Sequence, residues 1–93
     1  MIKHWRDAGT ELLWKEERSR RIPATLYKPA LKKLQMLNAA TALTDLLVPP
    51  GNRLERLRGD REGQYSIRIN DQYRVCFEWR ESNAYEVEIT DYH

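Results

Sequence analysis

Apolar and polar residues alternate along the last third of the chain, which is the pattern of half-buried β-strands. The alternation runs through residues 65–69, 73–79 and 85–90. Polar stretches that favour turns separate the three segments, and each segment has the length of a single strand. We therefore predict three antiparallel strands that share one apolar face and one polar face.

The apolar positions also predict how these strands pair, because a shift of one residue would turn every apolar side chain to the other face. The favoured register brings Arg68 opposite Arg74 and Thr90 opposite Arg74. It sets Tyr85 on the apolar face and carries Tyr92 onto the polar face. Like charges opposite one another destabilise a sheet. We interpret the paired arginines as part of a face that binds an anion.

The first half of the chain has helical patterning. Asp7 predicts the N-cap of a helix that ends near Glu17, with Leu12 and Leu13 directed inward. Pro23 opens a second helical region, and Pro29 belongs in or near its first turn. The apolar stripe that faces the sheet is formed by Ala30, Leu31, Leu34 and Leu37. Residues 41–47 add a short helical turn, and residues 48–52 are a break before the sheet.

Two further short strands complete the predicted order β-α-α-β-β-β-β. Residues 2–5 are expected at an edge of the sheet, and residues 54–57 precede a turn at residues 59–63. This order predicts an α+β domain with two N-terminal helices packed on one face of a mainly antiparallel sheet, and with the other face open. A chain of 93 residues has room for one small domain, and we expect it to span residues 1–93.

The net charge of +2 says little, but the distribution of charge is informative. Residues 1–36 contain nine Lys and Arg against four Asp and Glu, and six of the seven remaining arginines lie between Arg53 and Arg74. This split predicts a surface that faces a polyanion and an acidic opposite side. The basic run Arg18, Arg20 and Arg21 is interpreted as a solvated helix end, in preference to a specific RNA contact.

The remaining composition limits the class of protein. The single Cys76 excludes an internal disulfide and disfavours a thiolate metal site. We interpret Cys76 as an inert strand residue, although its position on the polar face also admits a lowered thiol pKa. No apolar run approaches the length of a membrane span, and we expect a cytoplasmic protein with no membrane contact.

Candidate chemistry remains after the familiar motifs are excluded. The sequence has no phosphate-binding glycine loop, no nucleophile elbow and no zinc-ligand spacing, so we expect no metal and no cofactor. Metal-free RNA cleavage needs a base for the 2′-hydroxyl, cations for the crowded phosphorane and a proton for the leaving oxygen. Residues of suitable chemistry are Glu55, Arg58, Arg61, Arg68, Arg74, Asp91, Tyr92 and His93. A passive RNA-binding sheet or a solvated charged face fits the same residues.

The stretch 51–79 followed by the terminal EITDYH resembles the HigB toxins of the RelE superfamily. The similarity also includes the MIKHW start, the turn at residues 59–63 and the strand YRVCF at residues 73–77. The resemblance implies a RelE-like fold and cleavage of mRNA, codon by codon, in the A site of the 70S ribosome without a metal. It also implies a HigA-type helix-turn-helix antitoxin that neutralises the toxin and, with it, binds operator DNA.

For individual residues, the resemblance implies that Arg58 contacts phosphate, that Arg74 stabilises the scissile phosphate, and that Asp91, Tyr92 and His93 belong to the active site. Some family members have His at the position of Glu55, which leaves the acid and base assignment open. We expect RNA contacts from Arg58, Arg61, Arg68, Lys28 and Lys32. The alternative function is a toxin-like interaction module with little or no cleavage, which acts with its antitoxin in transcriptional autoregulation.

Overall fold

A computed structural model describes residues 1–91 and contains two α-helices and one four-stranded antiparallel sheet in that part of the chain. The helices are α1 (Ala8–Glu16) and α2 (Tyr27–Ala39), and the strands are β1 (Glu55–Arg56), β2 (Gln64–Arg68), β3 (Tyr73–Arg80) and β4 (Asn83–Asp91). Short 3-10 turns lie at Ala24–Leu26, Leu43–Leu47, Pro50–Asn52 and Gly59–Arg61. The strand order β1-β2-β3-β4 follows the chain, and the predicted α+β fold is confirmed.

Helix α1 begins where the sequence predicted. The Asp7 carboxylate accepts a hydrogen bond from the backbone N–H of Thr10 at 3.0 Å, and Glu17 ends the helix in a left-handed conformation. Leu13 is fully buried, but Leu12 is 45% exposed, so its predicted inward direction is wrong. Consecutive residues of a helix point about 100° apart, and Leu13 takes the position that faces the core.

Helix α2 follows a 3-10 turn and has Pro29 within its first turn, as predicted. Its buried residues are Ala30, Leu34 and Leu37, while Leu31 packs at the edge of the same core. Side chains from β2, β3 and β4 complete the core from the apolar face of the sheet, chiefly Ile67, Val75, Phe77 and Val87. The helices therefore cover one face of the sheet, and the polar face points away from them.

The predicted register of the sheet is confirmed at its centre. Arg68 pairs with Arg74, and Arg74 pairs with Thr90. Beyond that point a β-bulge shifts β4 by one residue, because the pairing moves from Cys76 with Glu88 to Glu78 with Tyr85.

The bulge changes which face the hairpin end of β4 presents. Glu86 has a φ of 52° and takes up the extra residue. Ala84 is consequently buried in the core, and Tyr85 lies on the polar face, where its ring lies 4.0 Å from the Arg80 guanidinium. The prediction that Tyr85 lies on the apolar face is wrong, because strict alternation does not survive a bulge.

The N-terminal segment covers the outer edge of β4, as predicted. The backbone N–H of Lys3 donates to the carbonyl of Ala84 at 2.8 Å, and that of Arg6 donates to Val87 at 3.0 Å. These contacts form isolated parallel bridges in place of a continuous strand. They satisfy edge groups that would otherwise be open to pairing with another chain. In residues 1–91, neither helix has the length and apolar character needed to cross a bilayer.

Candidate functional site

The polar face of the sheet brings together three of the candidate residues that the sequence singled out, namely Glu55, Arg68 and Arg74. We name it the arginine face, and its members by register are Glu55, Ser66, Arg68, Arg74, Cys76, Glu88 and Thr90. Glu55 joins this face because β1 pairs it with Ser66. Four separate strands after α2 therefore bring cations and carboxylates to one surface.

Arg74 is the most firmly held cation of the arginine face, and its side chain is only 11% exposed. Its Nε donates to the hydroxyl of Ser66 at 2.7 Å, and its Nη2 donates to the backbone carbonyl of Arg53 at 2.6 Å. Arg53 has a φ of 45°, a left-handed conformation that is uncommon for a residue with a side chain. These two acceptors fix the plane of the Arg74 guanidinium before any ligand arrives.

Glu55 contributes a carboxylate near this guanidinium. Its Oε2 lies 3.8 Å from Nη2 of Arg74, and its side chain is 57% exposed. The structure therefore brings together two of the predicted catalytic residues, one held and one open to solvent. A carboxylate in this position is able to accept a proton from a group bound beside Arg74.

An open cavity of about 290 Å³ lies directly beside Arg74. Its lining consists of Arg53, Arg68, Asn70, Asp71 and Arg74. Asp71 forms an ion pair with Arg68, so the opposed arginines have partners within the protein. The cavity nevertheless combines three arginines with one carboxylate, and this excess of positive charge suits a phosphate group.

Arg53 is a cavity residue that sequence reasoning missed. It precedes β1, so strand alternation gives no face for it. The cluster of arginines between Arg53 and Arg74 was the only available signal, and it did not separate one member from another. A left-handed backbone turns the Arg53 carbonyl toward Arg74. The sequence does not predict this conformation, because the residue is not a glycine.

Arg61 belongs to the Gly59–Arg61 turn and reaches the arginine face at Glu88. Its Nη2 lies 2.7 Å from Oε1 of Glu88, and its Nη1 donates to the side chain of Gln64 at 3.1 Å. Glu88 also pairs with Arg6 at 3.0 Å. Arg61 therefore bridges Gln64 and Glu88 over the sheet.

Cys76 lies beneath these charged side chains and is fully buried. Burial raises the pKa of the Cys76 thiol, although a hydrogen bond with Thr90 acts in the opposite direction. The lowered thiol pKa that the sequence admitted is therefore wrong, and the inert interpretation fits. Ser66 is also fully buried, so the side chains of the arginine face cover the centre of that face themselves.

The predicted basic RNA contacts on α2 lie outside the arginine face. Lys28 and Lys32 are exposed and line a shallow cavity of about 500 Å³ on that helix. Lys33 connects the two regions: burial lowers its pKa, and the positive charges of Lys32 and Arg68 lower it further. The basic side of α2 thus approaches the arginine face. Arg58 is exposed before the Gly59–Arg61 turn.

The predicted C-terminal group is described only at its first residue. Asp91 ends β4 opposite Tyr73, and its Oδ2 accepts a hydrogen bond from the Gln72 side chain at 3.0 Å. Tyr92 and His93 lie outside the described residues. Within residues 1–91, His, Cys, Asp and Glu side chains nowhere gather in a group of three or more that would suit a metal ion.

These features define a small α+β domain whose sheet carries an oriented arginine, a neighbouring carboxylate and a cationic cavity. The model of the family described as RelE-like toxin of type II toxin-antitoxin system HigB matches residues 3–93. The chain belongs to this family of HigB-like toxins, and the resemblance inferred from its motifs is confirmed.

Individual relatives agree with this assignment. Toxin HigB-1 of Vibrio cholerae is 41% identical over 80 residues, which cover 85% of this chain and 84% of that protein. Endoribonuclease HigB of Proteus vulgaris is 32% identical over 97 residues, with full coverage of both chains. A crystal structure of the heterotetrameric YoeB-YefM toxin-antitoxin complex from Staphylococcus aureus contains a similar fold, with a TM-score of 0.62, 16% identity and coverage of 100% and 98%.

Proposed function

We propose that the chain is a ribosome-dependent endoribonuclease toxin, a single domain of residues 1–93 that cleaves mRNA in the ribosomal A site and so inhibits translation in the cytoplasm. The observation that carries the proposal is the Arg74 guanidinium, held by Ser66 and Arg53 beside Glu55 and an arginine-lined cavity. The name of the Proteus vulgaris relative, an endoribonuclease, supports the same reaction.

The proposed chemistry needs no group beyond the protein and its RNA. The 2′-oxygen of the nucleotide attacks the adjacent phosphorus, and its proton passes to a base, a role that we assign to Glu55 because its carboxylate lies 3.8 Å from Arg74. The O2′–P bond forms as the P–O5′ bond breaks. The leaving 5′-oxygen takes a proton from an acid, and we assign that role to the group Asp91, Tyr92 and His93. The products are a 2′,3′-cyclic phosphate and a free 5′-hydroxyl.

Arg74 is assigned the stabilisation of the phosphorane, on which negative charge increases during attack. A guanidinium already fixed by protein acceptors needs little reorganisation when that charge develops, which is the condition under which electrostatic stabilisation is largest. Arg68 and Arg53 line the same cavity and add positive charge for the neighbouring phosphates. Because arginine stays charged at any accessible pH, this role is independent of protonation.

The remaining basic residues are assigned to binding. Arg58, Lys28 and Lys32 are exposed, so their charges are available to RNA phosphates at low cost in desolvation. Lys33 of α2 lies near enough to Arg68 of the arginine face for the charge of Arg68 to lower the pKa of Lys33. We propose that the α2 lysines contact ribosomal RNA while the arginine face holds the mRNA. We assign Arg61 to RNA binding as well, as a positive charge that also pairs with Glu88.

The proposed protein partner is a HigA-type antitoxin with a helix-turn-helix, which neutralises the toxin and, with it, binds operator DNA. Membership of a toxin-antitoxin family supports a partner of this kind. The similar Staphylococcus aureus fold is also found in a complex with an antitoxin.

The test is cleavage of a defined mRNA by purified protein, with and without 70S ribosomes, followed by primer extension. We expect cuts only when ribosomes are present. Glu55→Gln keeps the shape of the side chain but removes its proton acceptor, and Glu62→Gln is the matched control in an exposed turn. A truncation after Asp91 tests the terminal group. If folded wild-type protein leaves mRNA intact on ribosomes, the proposal is wrong and the interaction module replaces it.

A further inference from the structure

A second cavity, of about 560 Å³, lies between the first half of α1 and the segment that follows this helix. We name it the α1 groove, and its lining consists of Ala8, Gly9, Leu12, Arg18, Ser19, Arg20, Arg21 and Tyr27. It shares no lining residue with the cavity of the arginine face. The proposed cleavage chemistry uses none of these side chains.

The basic side of the α1 groove is open to an anionic partner. Arg18, Arg20 and Arg21 are all exposed, and within residues 1–91 none of them forms an ion pair. Three unpaired cations in four successive residues repel one another, and an acidic partner would relieve that repulsion. The sequence alone gave these arginines no role beyond a solvated helix end.

The α1 groove also has an apolar part, which distinguishes it from the cavity of the arginine face. Leu12 is 45% exposed, and Ala8 and the ring of Tyr27 extend the same surface. Nucleic-acid backbone offers phosphates to arginines but nothing that gains by covering a leucine side chain. A protein segment that carries acidic residues around a large apolar residue matches both parts of the groove.

Two details of the packing indicate that this surface is built closely. A Cβ on Gly9 would lie 3.1 Å from Cβ and 3.2 Å from Cδ of Arg21, so the glycine lets the stem of Arg21 lie across the helix. Glycine inside a helix costs about 1 kcal/mol relative to alanine, and this contact accounts for it. Ser19, which lines the groove, has a buried hydroxyl with no hydrogen-bond partner in residues 1–91.

We propose that the α1 groove docks an acidic segment of the antitoxin, with a large apolar residue of that segment covering Leu12 and its carboxylates pairing with Arg18 and Arg20. This inference rests on the antitoxin pairing given under the proposed function. It adds the surface that is recognised and the chemistry of the segment that binds there. The docked segment occupies the helical side of the molecule and shares no residue with the arginine-face cavity.

The test uses full-length toxin and the HigA-type antitoxin that we expect the neighbouring reading frame to encode. Calorimetry compares wild type with Arg20→Glu, Leu12→Ser and the control Lys3→Glu, which makes the same charge reversal at an exposed lysine outside the groove. We expect Arg20→Glu and Leu12→Ser each to weaken binding about tenfold or more, and Lys3→Glu to change it less than about twofold. Hydrogen exchange should show that amides 8–21 become protected in the wild-type complex.

The outcomes separate the groove from the wider proposal. Unchanged affinity in both groove variants, with no protection of residues 8–21 in a complex that does form, overturns the docking site but leaves the antitoxin pairing intact. Failure of wild-type toxin to form any complex overturns the pairing and this inference with it. If Arg20→Glu keeps its antitoxin affinity but loses affinity for 70S ribosomes, the groove is an RNA contact and the docking proposal is wrong.

Discussion

Replacing Ser66 by alanine isolates the contact that orients Arg74. Ser66 is fully buried, and its Oγ accepts the 2.7 Å hydrogen bond from Nε of Arg74. The substitution removes one atom and creates little empty space. Arg74 keeps its bond to the Arg53 carbonyl. The variant therefore loosens one side of the guanidinium without deleting the charge.

The expected magnitude follows from the type of bond that is lost. A hydrogen bond to a charged group contributes about 1.5–3 kcal/mol, and the surviving bond to Arg53 argues for the lower end. We expect unfolding of Ser66→Ala to require about 1.5 kcal/mol less than wild type. For a domain of this size, that loss lowers Tm by about 6–12 °C.

Loss of orientation should also lower kcat with little effect on KM. Removing a preorganised donor outright typically costs about 100-fold or more in kcat. Ser66→Ala leaves the donor in place but less well aimed, so we expect a decrease of about tenfold. Single-turnover cleavage of mRNA on 70S ribosomes measures the effect on the chemical step.

The matched control is Ser19→Ala. Ser19 is also buried, but its hydroxyl has no partner in residues 1–91, so the substitution removes the same atom without a hydrogen bond. Its stability should equal or exceed that of wild type. The decisive comparison adds Ser66→Ala to Arg74→Ala, where the serine change should lower kcat no further. Equal stability of the two serine variants, or an additive loss of kcat, would refute the positioning role of Ser66.

Three other experiments test the role of Arg74, the charge of Asp45 and the accessibility of Cys76. Arg74→Ala should lower the rate of mRNA cleavage about 100-fold or more. Arg80 is an exposed arginine of the same strand, and Arg80→Ala should leave the cleavage rate unchanged. Equal cleavage rates in the two variants would show that Arg74 is not part of the site. Hydrogen bonds from backbone N–H groups, chiefly that of Ala42, lower the pKa of Asp45. The ionised carboxylate therefore stabilises the folded protein above the ordinary carboxyl pKa, and this stabilisation is lost as pH falls through the lowered pKa. The Tm difference between wild type and Asp45→Asn should therefore shrink below about pH 4, and a constant difference down to about pH 2 would contradict this. Because burial raises the pKa of Cys76, iodoacetamide should label it only in urea, and rapid labelling of folded protein would show that the thiol is accessible.

The central register of the sheet was predictable because each strand carries a strong apolar alternation. Arg68, Arg74 and Thr90 were placed correctly for that reason. The place of Glu55 on the same face comes from the pairing of β1 with β2, which the sequence analysis did not assign. Tyr85 was not predictable, because the bulge depends on a positive φ at Glu86, a residue type that does not signal one.

The details of the site depend on contacts that a residue pattern does not encode. Register gives the face on which Arg74 lies, but not the carbonyl of Arg53 that holds it. Residue type alone put Arg61 among the available cations, and its pairing with Glu88 depends on the reach of its side chain from the turn to β4. The roles of Tyr92 and His93 remain proposals carried by the family pattern and await the truncation experiment.

The bond between Arg74 and the backbone of Arg53 has a consequence for mutational scanning. Any replacement of the Arg53 side chain that keeps its left-handed backbone also keeps the carbonyl that Arg74 uses. Alanine at position 53 therefore measures only the loss of a cavity charge. It does not test the backbone carbonyl that accepts the hydrogen bond from Arg74. Proline, with φ fixed near −65°, is the substitution that moves the acceptor. A library that omits proline would assign this position a minor role.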